Sequence, residues 1–506
     1  MKASSAVLCH CLAVAALLLG LAPVQAAPEA AAVDAIVADA LRTWDAPGMA
    51  VAVVCDDKVV YLKGAGVRER GRPEAVTPDT LFAIGSCTKA FTATALAVLV
   101  DEGRAAWDDP VRKHLPTFRL ADPLADREVT LRDLLCHRTS LARHDLLWYR
   151  APWPVEESVR RMAFLDQRHS FRAAYEYNNL AYLAAGLAVS GAAKEPWHEF
   201  VRRRLFTPLG MKGAVFTRAE SPKADHATPH RRGEGGKAER MAPYPDDKQI
   251  RASGSIKAGV RDLSQWVRMQ LAGGALDGKR IVSEKALAET HTPQVVVPLS
   301  RARATATDAT QVSYGLGWQI SDYRGHHVLT HGGAVDGFRA RVVLLPKDHA
   351  GVVVLTNLEE TGIVDAAGNA LVDHLLGLPK KDWNAHFLHQ RDEAESARKE
   401  RLRKRLATRQ AGTKPSRELD AYAGTYAEPA YGTVTVKRED KVLTLTWGSF
   451  RVPLRHFHYD TFIVPPQKER GPNQLSDEMV VFALDDEGEV KTLRFLGRKF
   501  TRGRVK

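Results

Sequence analysis

The stretch FAIGSCTKAFTATALAVLVDE, residues 82–102, decides the fold. From Ser86 to Glu102 it is apolar and long enough for a buried helix, and Phe82-Ala83-Ile84-Gly85 leads into it. Ser86-Cys87-Thr88-Lys89 is a Ser-x-x-Lys at the helix start. Side chains three apart on a helix share a face, about 5–6 Å from each other, so the Lys89 amine can sit beside the Ser86 hydroxyl. Burial at a helix N-terminus disfavours the ammonium form and lowers the lysine pKa. A neutral amine can then take the serine proton and make Ser86 a nucleophile. Ser-x-x-Lys recurs by chance in chains of this size, and alone it is a weak signal.

Two further segments work outward from it. Tyr177-Asn178-Asn179 opens an apolar helix that runs to Val189. A phenol beside an ammonium can act as a base and then as an acid toward a leaving group. Asn179 is placed to hydrogen-bond Lys89 and the substrate. His331-Gly332-Gly333-Ala334 lies at a strand edge after Val328-Leu329-Thr330. Glycines there let a substrate approach the backbone, and an exposed N–H at Ala334 can join that of Ser86 in holding an oxyanion. Taken singly, a packed aromatic at a helix start and a satisfied histidine are the simpler readings of Tyr177 and His331.

The remaining elements surround these segments. Residues 28–44 carry apolar positions at helical spacing, and 48–54 with 58–63 read as a hairpin around Asp56-Asp57. Residues 130–135 open a short helix before the loop His137-Arg138-Thr139-Ser140, and 261–271 form an amphipathic helix. Residues 314–318, 327–330, 340–345 and 351–356 alternate like an antiparallel sheet, and 365–376 form a last helix. Strands at both ends with helices between them predict an α+β domain whose N- and C-terminal strands share one sheet. After Gly377 the texture changes. Residues 391–409 are densely charged, a solvated helix or linker, and from Leu419 onward short alternating strands suggest a small barrel or curled sheet. The expected division is a signal peptide over 1–26, the main domain over 27–380, a charged helical linker over 381–417 and a C-terminal β domain over 418–506.

In combination, Ser-x-x-Lys, Tyr-x-Asn and His-x-Gly resemble the serine β-lactamase and penicillin-binding-protein superfamily. Within it the chain looks most like the class C β-lactamase-related serine hydrolases. Asp133-Leu134-Leu135-Cys136-His137 is similar to the family's DLLxH loop, Tyr177–Tyr182 with Gly186 to YSNxxYxxLG, and Gly333–Phe338 to GGxxGF. The likeness covers about residues 29–378. Tyr422-Ala423-Gly424-Thr425-Tyr426 and His456–Phe462 resemble the lipocalin-like β domain that follows such hydrolases in many bacterial proteins. The resemblance implies an antiparallel sheet flanked by helices, a helical subdomain and a small barrel-like domain behind them. It also implies a mechanism. Ser86 forms an acyl-enzyme, Lys89 and Tyr177 move the proton, and the N–H groups of Ser86 and Ala334 hold the oxyanion. Asn179, His331 and Gly333 face the substrate, and water releases the acyl group without metal or cofactor. Either Lys89 or Tyr177 can be the acylation base.

Two departures qualify the likeness. True class C enzymes carry a Lys-Thr-Gly whose lysine attracts the substrate carboxylate, and here His331 stands in that place. A neutral imidazole offers one donor and less charge. The expected reaction is therefore hydrolysis of an ester, an amide or a D-amino-acid-containing peptide bond. The alternative is a β-lactamase, or a penicillin-binding or sensor protein with little turnover. Ser140 occupies a position where relatives usually have glycine. Arg143-His144-Asp145 resembles a segment common in relatives with this tail, serving either to line the cleft mouth or as a structural ion pair.

Composition bounds the rest. The chain has 506 residues, 45% hydrophobic and 26% charged, which suits two or three globular domains and excludes global disorder. Met1-Lys2, the apolar run from Ala6 to Leu21 and Val24-Gln25-Ala26 read as a signal peptide cleaved after Ala26. No later stretch is apolar enough to span a membrane, so a periplasmic or secreted location is expected. Of the five cysteines, Cys55, Cys87 and Cys136 would remain, too few for a disulfide framework and better read as three buried thiols. The net charge of +12 fits a generally basic solvated surface or attraction to an anionic envelope, and an exported location argues against nucleic acid. The pairs His226/His230 and His326/His327 lack a carboxylate at ligand spacing. The expected partner is a small-molecule or peptide substrate, cell-wall-derived material among the candidates. Oligomeric state is open.

Overall fold

The structure, a computed structural model, describes residues 29–503 apart from 221–224, 234, 246–248, 360 and 467–474. The expected signal peptide, 1–26, lies outside the described residues.

Strand β1, Gly48–Cys55, reads GMAVAVVC and is buried along its length to Val54. It pairs on one side with β2, Lys58–Gly66, and on the other with the last strand of the main sheet, Ala350–Thr356. Met49 lies opposite Thr356 and Cys55 opposite Ala350. The two ends of the domain thus share one sheet. Between them come β3 Val295–Val296, β4 Val312–Tyr314, β5 Gln319–Tyr323, β6 His326–Val335 and β7 Phe338–Leu345, so that Ala350–Thr356 is β8. The sheet is antiparallel throughout, in the order β2-β1-β8-β7-β6-β5-β4-β3.

The absence of polar alternation in β1 has a simple cause: both faces are covered. Met49, Val51 and Val53 point into a core shared with Val33, Val37 and Trp44 of helix α1, Ala30–Trp44. Ala50, Ala52 and Val54 point into a second, larger core on the opposite face. That second core surrounds helix α2, Thr88–Asp101, which is buried from Thr88 through Leu99. Phe91 of α2 stacks on Trp266 with ring centroids 3.7 Å apart. Helix α3, Asn179–Ala193, lies alongside α2, and helix α4, Val260–Leu271, carries Trp266. Helix α5, Ile363–Leu375, closes the first face beside α1.

The short helix Leu131–Leu135 is fixed by a capping box between Thr130 and Asp133. Asp133 is fully buried and accepts from Arg138 Nε at 2.5 Å and Arg172 Nη2 at 2.7 Å. Burial alone would raise its pKa, but the two guanidiniums outweigh that and hold it below the usual carboxylate value. Cys87 and Cys136 are buried and Cys55 half-buried, all three as free thiols.

Helix α6, Trp383–Ala407, is one continuous element whose buried anchor is Trp383. The indole N–H of Trp383 donates to Asp373 Oδ2 at 2.7 Å. Beyond it, eight antiparallel strands from Gly424 to Arg502 form a closed barrel, the first pairing with the last through Tyr426 and Arg502. Its interior is filled by the rings of Tyr422, Tyr426, Phe462 and Phe482 in edge-to-face contacts. Closure leaves no free sheet edge, which resolves the expected choice between barrel and curled sheet.

Because Asp133 joins a helix cap to two partly exposed arginines, Asp133→Ala is expected to destabilise the domain by about 1–3 kcal/mol. Urea unfolding of the variant beside the wild type measures this.

Candidate active site

The nucleophile segment is threaded between two backbones. Phe82-Ala83 pairs with Lys257-Ala258, and the Ile84 N–H donates to the Ile256 carbonyl at 3.0 Å. Gly85 then takes a left-handed φ of 50°, and Gly85–Cys87 makes a 3-10 turn that runs into α2. On its other side lies β6. This strand pairs with β5 from His326 to Thr330, which faces Gln319, and with β7 from Leu329 on, so that His331 to Val335 have β7 alone. Part of the vacated edge is covered by the turn that carries Ser86, and the rest borders the cleft. A Cβ at Gly85 would run into the N and O of Ala334, and one at Gly333 would collide with the Ile84 carbonyl. Gly333 thus serves the packing of two backbones. At Gly332, which also lines the cleft, a Cβ would make only an ordinary contact with the Ala340 carbonyl at 3.9 Å.

Lys89 is fully buried. Its Nζ lies 3.0 Å from Ser86 Oγ, 2.7 Å from Asn179 Oδ1 and 2.9 Å from the Ser253 carbonyl. Three partners suit a neutral amine that donates twice and accepts the serine proton on its lone pair. Burial holds its pKa well below the ordinary lysine value; Asp145 opposes that shift and Arg143 reinforces it. Tyr177 stands over the same hydroxyl, with Lys89 Nζ 4.9 Å from its ring centre. Burial raises its phenol pKa, while contact with Ser86 and the charge of Arg143 pull it down.

His137 holds Tyr177 in place. Its ring lies 4.3 Å from that of Tyr177, and its Nδ1 accepts the Asn178 N–H at 3.1 Å. The loop that presents it contains left-handed residues at His137, Ser140, His144 and Arg150. Ser140 has φ 64°, and its hydroxyl donates to the Ser170 carbonyl at 2.8 Å. That bond offsets a conformation that glycine would adopt freely.

His331 lies beside the site but is turned beneath it. Its Nδ1 donates to the Gly332 carbonyl at 2.7 Å, and Tyr314 OH donates to its Nε2 at 2.9 Å. Burial, aided by Lys89, pushes its pKa down to about 3. Both ring nitrogens are engaged, so the single donor expected to face a substrate is already used. Ser86, Lys89, Tyr177, Asn179, Gly333 and Ala334 are brought together, whereas the imidazole of His331 underpins them.

One contributor escaped the reading of the sequence, and two more, His137 and Asp145, were named there without the contacts they make. Ser253 supplies a backbone carbonyl, which no side-chain motif can signal. His137 acts through ring packing. Asp145 accepts from Asn179 Nδ2 and Trp148 Nε1, each at 2.9 Å, and pairs with Arg143 at 2.7 Å. The segment Arg143-His144-Asp145 therefore both lines the cleft and forms an ion pair. The cleft encloses about 700 Å³ between Ser86, Trp148, Tyr149, Tyr244 and the β6–β7 edge. Among the described residues no cluster of ligating side chains could hold a metal ion, and His230 is engaged by the Arg70 N–H and the Asn357 carbonyl.

This arrangement defines a serine hydrolase site on a β-lactamase/transpeptidase-like domain. Residues 33–376 match the Beta-lactamase family model, and the chain belongs to that family. Residues 408–502 match a domain of unknown function, DUF3471. The chain is 27% identical over 429 residues to an unguisins hydrolase of Aspergillus campestris, covering 79% of this chain and 76% of that protein. In fold it is similar to the octameric penicillin-binding protein homologue from Pyrococcus abyssi, with a TM-score of 0.62, 22% identity, and coverage of 93% of this chain and 99% of the other. It is also similar to the D-amino acid amidase from Ochrobactrum anthropi, with a TM-score of 0.57, 21% identity, and coverage of 69% and 97%.

His331 binds a proton near pH 6.5 when unfolded but only near about 3 when folded. Its contribution to stability is complete above 6.5 and is lost as pH falls through that window. Urea unfolding across this range should show a slope about 1.4 kcal/mol per pH unit steeper in the wild type than in His331→Gln.

Proposed function

We propose that this chain is an exported serine hydrolase that forms an acyl-enzyme on Ser86 and hydrolyses an ester, an amide or a D-amino-acid-containing peptide bond. The observation that carries this reading is the buried Lys89 amine hydrogen-bonded to Ser86 Oγ. Ser86 Oγ adds to the substrate carbonyl while its proton passes to neutral Lys89. The oxyanion lies between the N–H groups of Ser86 and Ala334. Collapse of this intermediate breaks the bond to the leaving group, which takes a proton from the Tyr177 phenol. The Lys89 ammonium returns a proton to Tyr177. Water then attacks the acyl carbonyl by the same route and frees Ser86. Of the two candidate bases, Lys89 lies 3.0 Å from Ser86 Oγ with its pKa lowered while that of Tyr177 is raised, which favours Lys89 as the acylation base and Tyr177 as the donor.

His331 supplies no cation, which argues for esters and amides over β-lactams. A relative named as an unguisins hydrolase supports a hydrolytic reaction. Export rests on the N-terminal pattern, and a mature protein beginning at Ala27 in the periplasm or medium is its test.

A fluorophosphonate should label wild-type Ser86 and leave Ser86→Ala unmodified. Failure of the folded wild type to react would overturn the reading. Lys89→Arg, which keeps a permanent charge where a neutral amine is needed, should lower kcat/KM by about 10²–10⁴-fold. In the wild type the rate should rise with pH along an acid limb set by Lys89, below the ordinary lysine range. A panel of p-nitrophenyl esters, D-amino acid amides and a chromogenic cephalosporin then ranks substrates. Efficient turnover of the cephalosporin would favour the β-lactamase alternative.

A further inference from the structure

The barrel touches the hydrolase domain at the segment that carries Asp145. Tyr431 OH lies 2.9 Å from His144 Nδ1. Ser449 Oγ donates to the Arg150 carbonyl at 3.0 Å, and Arg161 donates back to the Ala430 carbonyl at 2.8 Å. Tyr431 is itself held rigidly. Its ring stacks on Trp447, whose indole N–H donates to the Tyr431 carbonyl at 2.7 Å. Between these contacts His144 takes a left-handed φ of 44° and starts the 3-10 turn Asp145–Leu147. Backbone strain of this kind persists only where surrounding contacts over-determine it. One residue further on, Asp145 Oδ1 accepts from Asn179 Nδ2, and Asn179 Oδ1 accepts from Lys89. An amide has a fixed polarity, so the bond to Asp145 decides which end of Asn179 faces Lys89.

We propose that Asp145 is a positioning residue that orients Asn179 against Lys89, and that the C-terminal barrel, through Tyr431 and His144, holds Asp145 in place. The barrel thereby becomes part of what makes the site competent. This inference rests on the reading of Ser86 as the nucleophile.

The test is the rate at which a fluorophosphonate modifies Ser86 in the full chain, followed across pH. Several groups face the Lys89 amine besides Asp145: Arg143 on the same segment, Cys87 on its own turn, Tyr177 and Tyr182 on the α3 side, and His137 and His331 beneath. Among them Asp145 is the carboxylate that favours the ammonium form. Asp145→Asn should therefore move the acid limb to lower pH. Tyr431→Phe keeps the ring on Trp447 and loses the bond to His144. It should slow labelling by about 10- to 100-fold, the cost of a small misplacement, and move the acid limb in the same direction as Asp145→Asn. His144→Asn tolerates the left-handed backbone, breaks the same bond from the other side, and should behave alike. Combined with Asp145→Asn, neither should add a full second loss, because the barrel acts through Asp145. A wild type labelled at Ser86, with both variants reacting at its rate and with its acid limb, overturns this inference alone. So do losses that multiply with that of Asp145→Asn. A wild type that is never labelled overturns the nucleophile reading and this inference together.

Discussion

The site depends on removing one amine from water. A lysine with no solvent contact is unstable as an ammonium unless its surroundings supply charge and hydrogen bonds, and losing the proton is the cheaper course. Lys89 meets two acceptors and one hydroxyl, with the nearest carboxylate one residue removed behind Asn179. Had Asp145 touched Lys89 directly, an ion pair would have kept the proton on nitrogen. Interposing a neutral amide keeps the amine oriented and leaves it basic. The apolar run of α2, the rings of Tyr177 and Tyr182 and the cover given by Ser253 are all means of keeping that one atom dry.

The second requirement is a backbone edge at the right place, and the main sheet supplies it by ending one strand early. β5 stops opposite Thr330 while β6 continues to Val335. Five residues of β6 are left with one open flank inside an otherwise paired sheet. Exposed N–H groups within a domain are a liability unless something covers them. Here the turn at Gly85 covers part of the edge, and the remainder borders the cleft.

Much of this was legible in the amino-acid sequence, for identifiable reasons. The unbroken apolar β1 and the alternation after Tyr314 reported a sheet shared by both chain ends, because burial on one face or two leaves a direct trace in residue type. Ser86, Lys89, Tyr177 and Asn179 were legible because their chemistry needs those side chains in that order. His331 lies at the site with its imidazole turned beneath it. A histidine's type reveals its donors and acceptors, whereas the partners that engage them, here Gly332 and Tyr314, come from distant residues. Gly333 lines the cleft and also admits the Ile84 carbonyl, a close approach of two backbones that the sequence does not show. Ser253 left no trace because its contribution is a carbonyl that every residue possesses. The docking of the barrel on residues 144–166 could not be read from either segment, since its hydrogen bonds and the Arg498–Asp166 ion pair join surfaces far apart in the chain.

Helix α6 joins the two domains as a strut of 25 residues, about 37 Å long at 1.5 Å per residue. Trp383 pins its start to the hydrolase domain, while Arg405 and Arg409 tie its end to the Asp477 and Phe457 carbonyls of the barrel. A flexible linker of the same length would let the barrel sample a large volume after each detachment and return slowly. A rod clamped at both ends keeps the effective concentration of the barrel at its docking face high. A handful of hydrogen bonds and one ion pair therefore suffice to hold two domains in register, because the rod between them keeps each lost contact close to its partner.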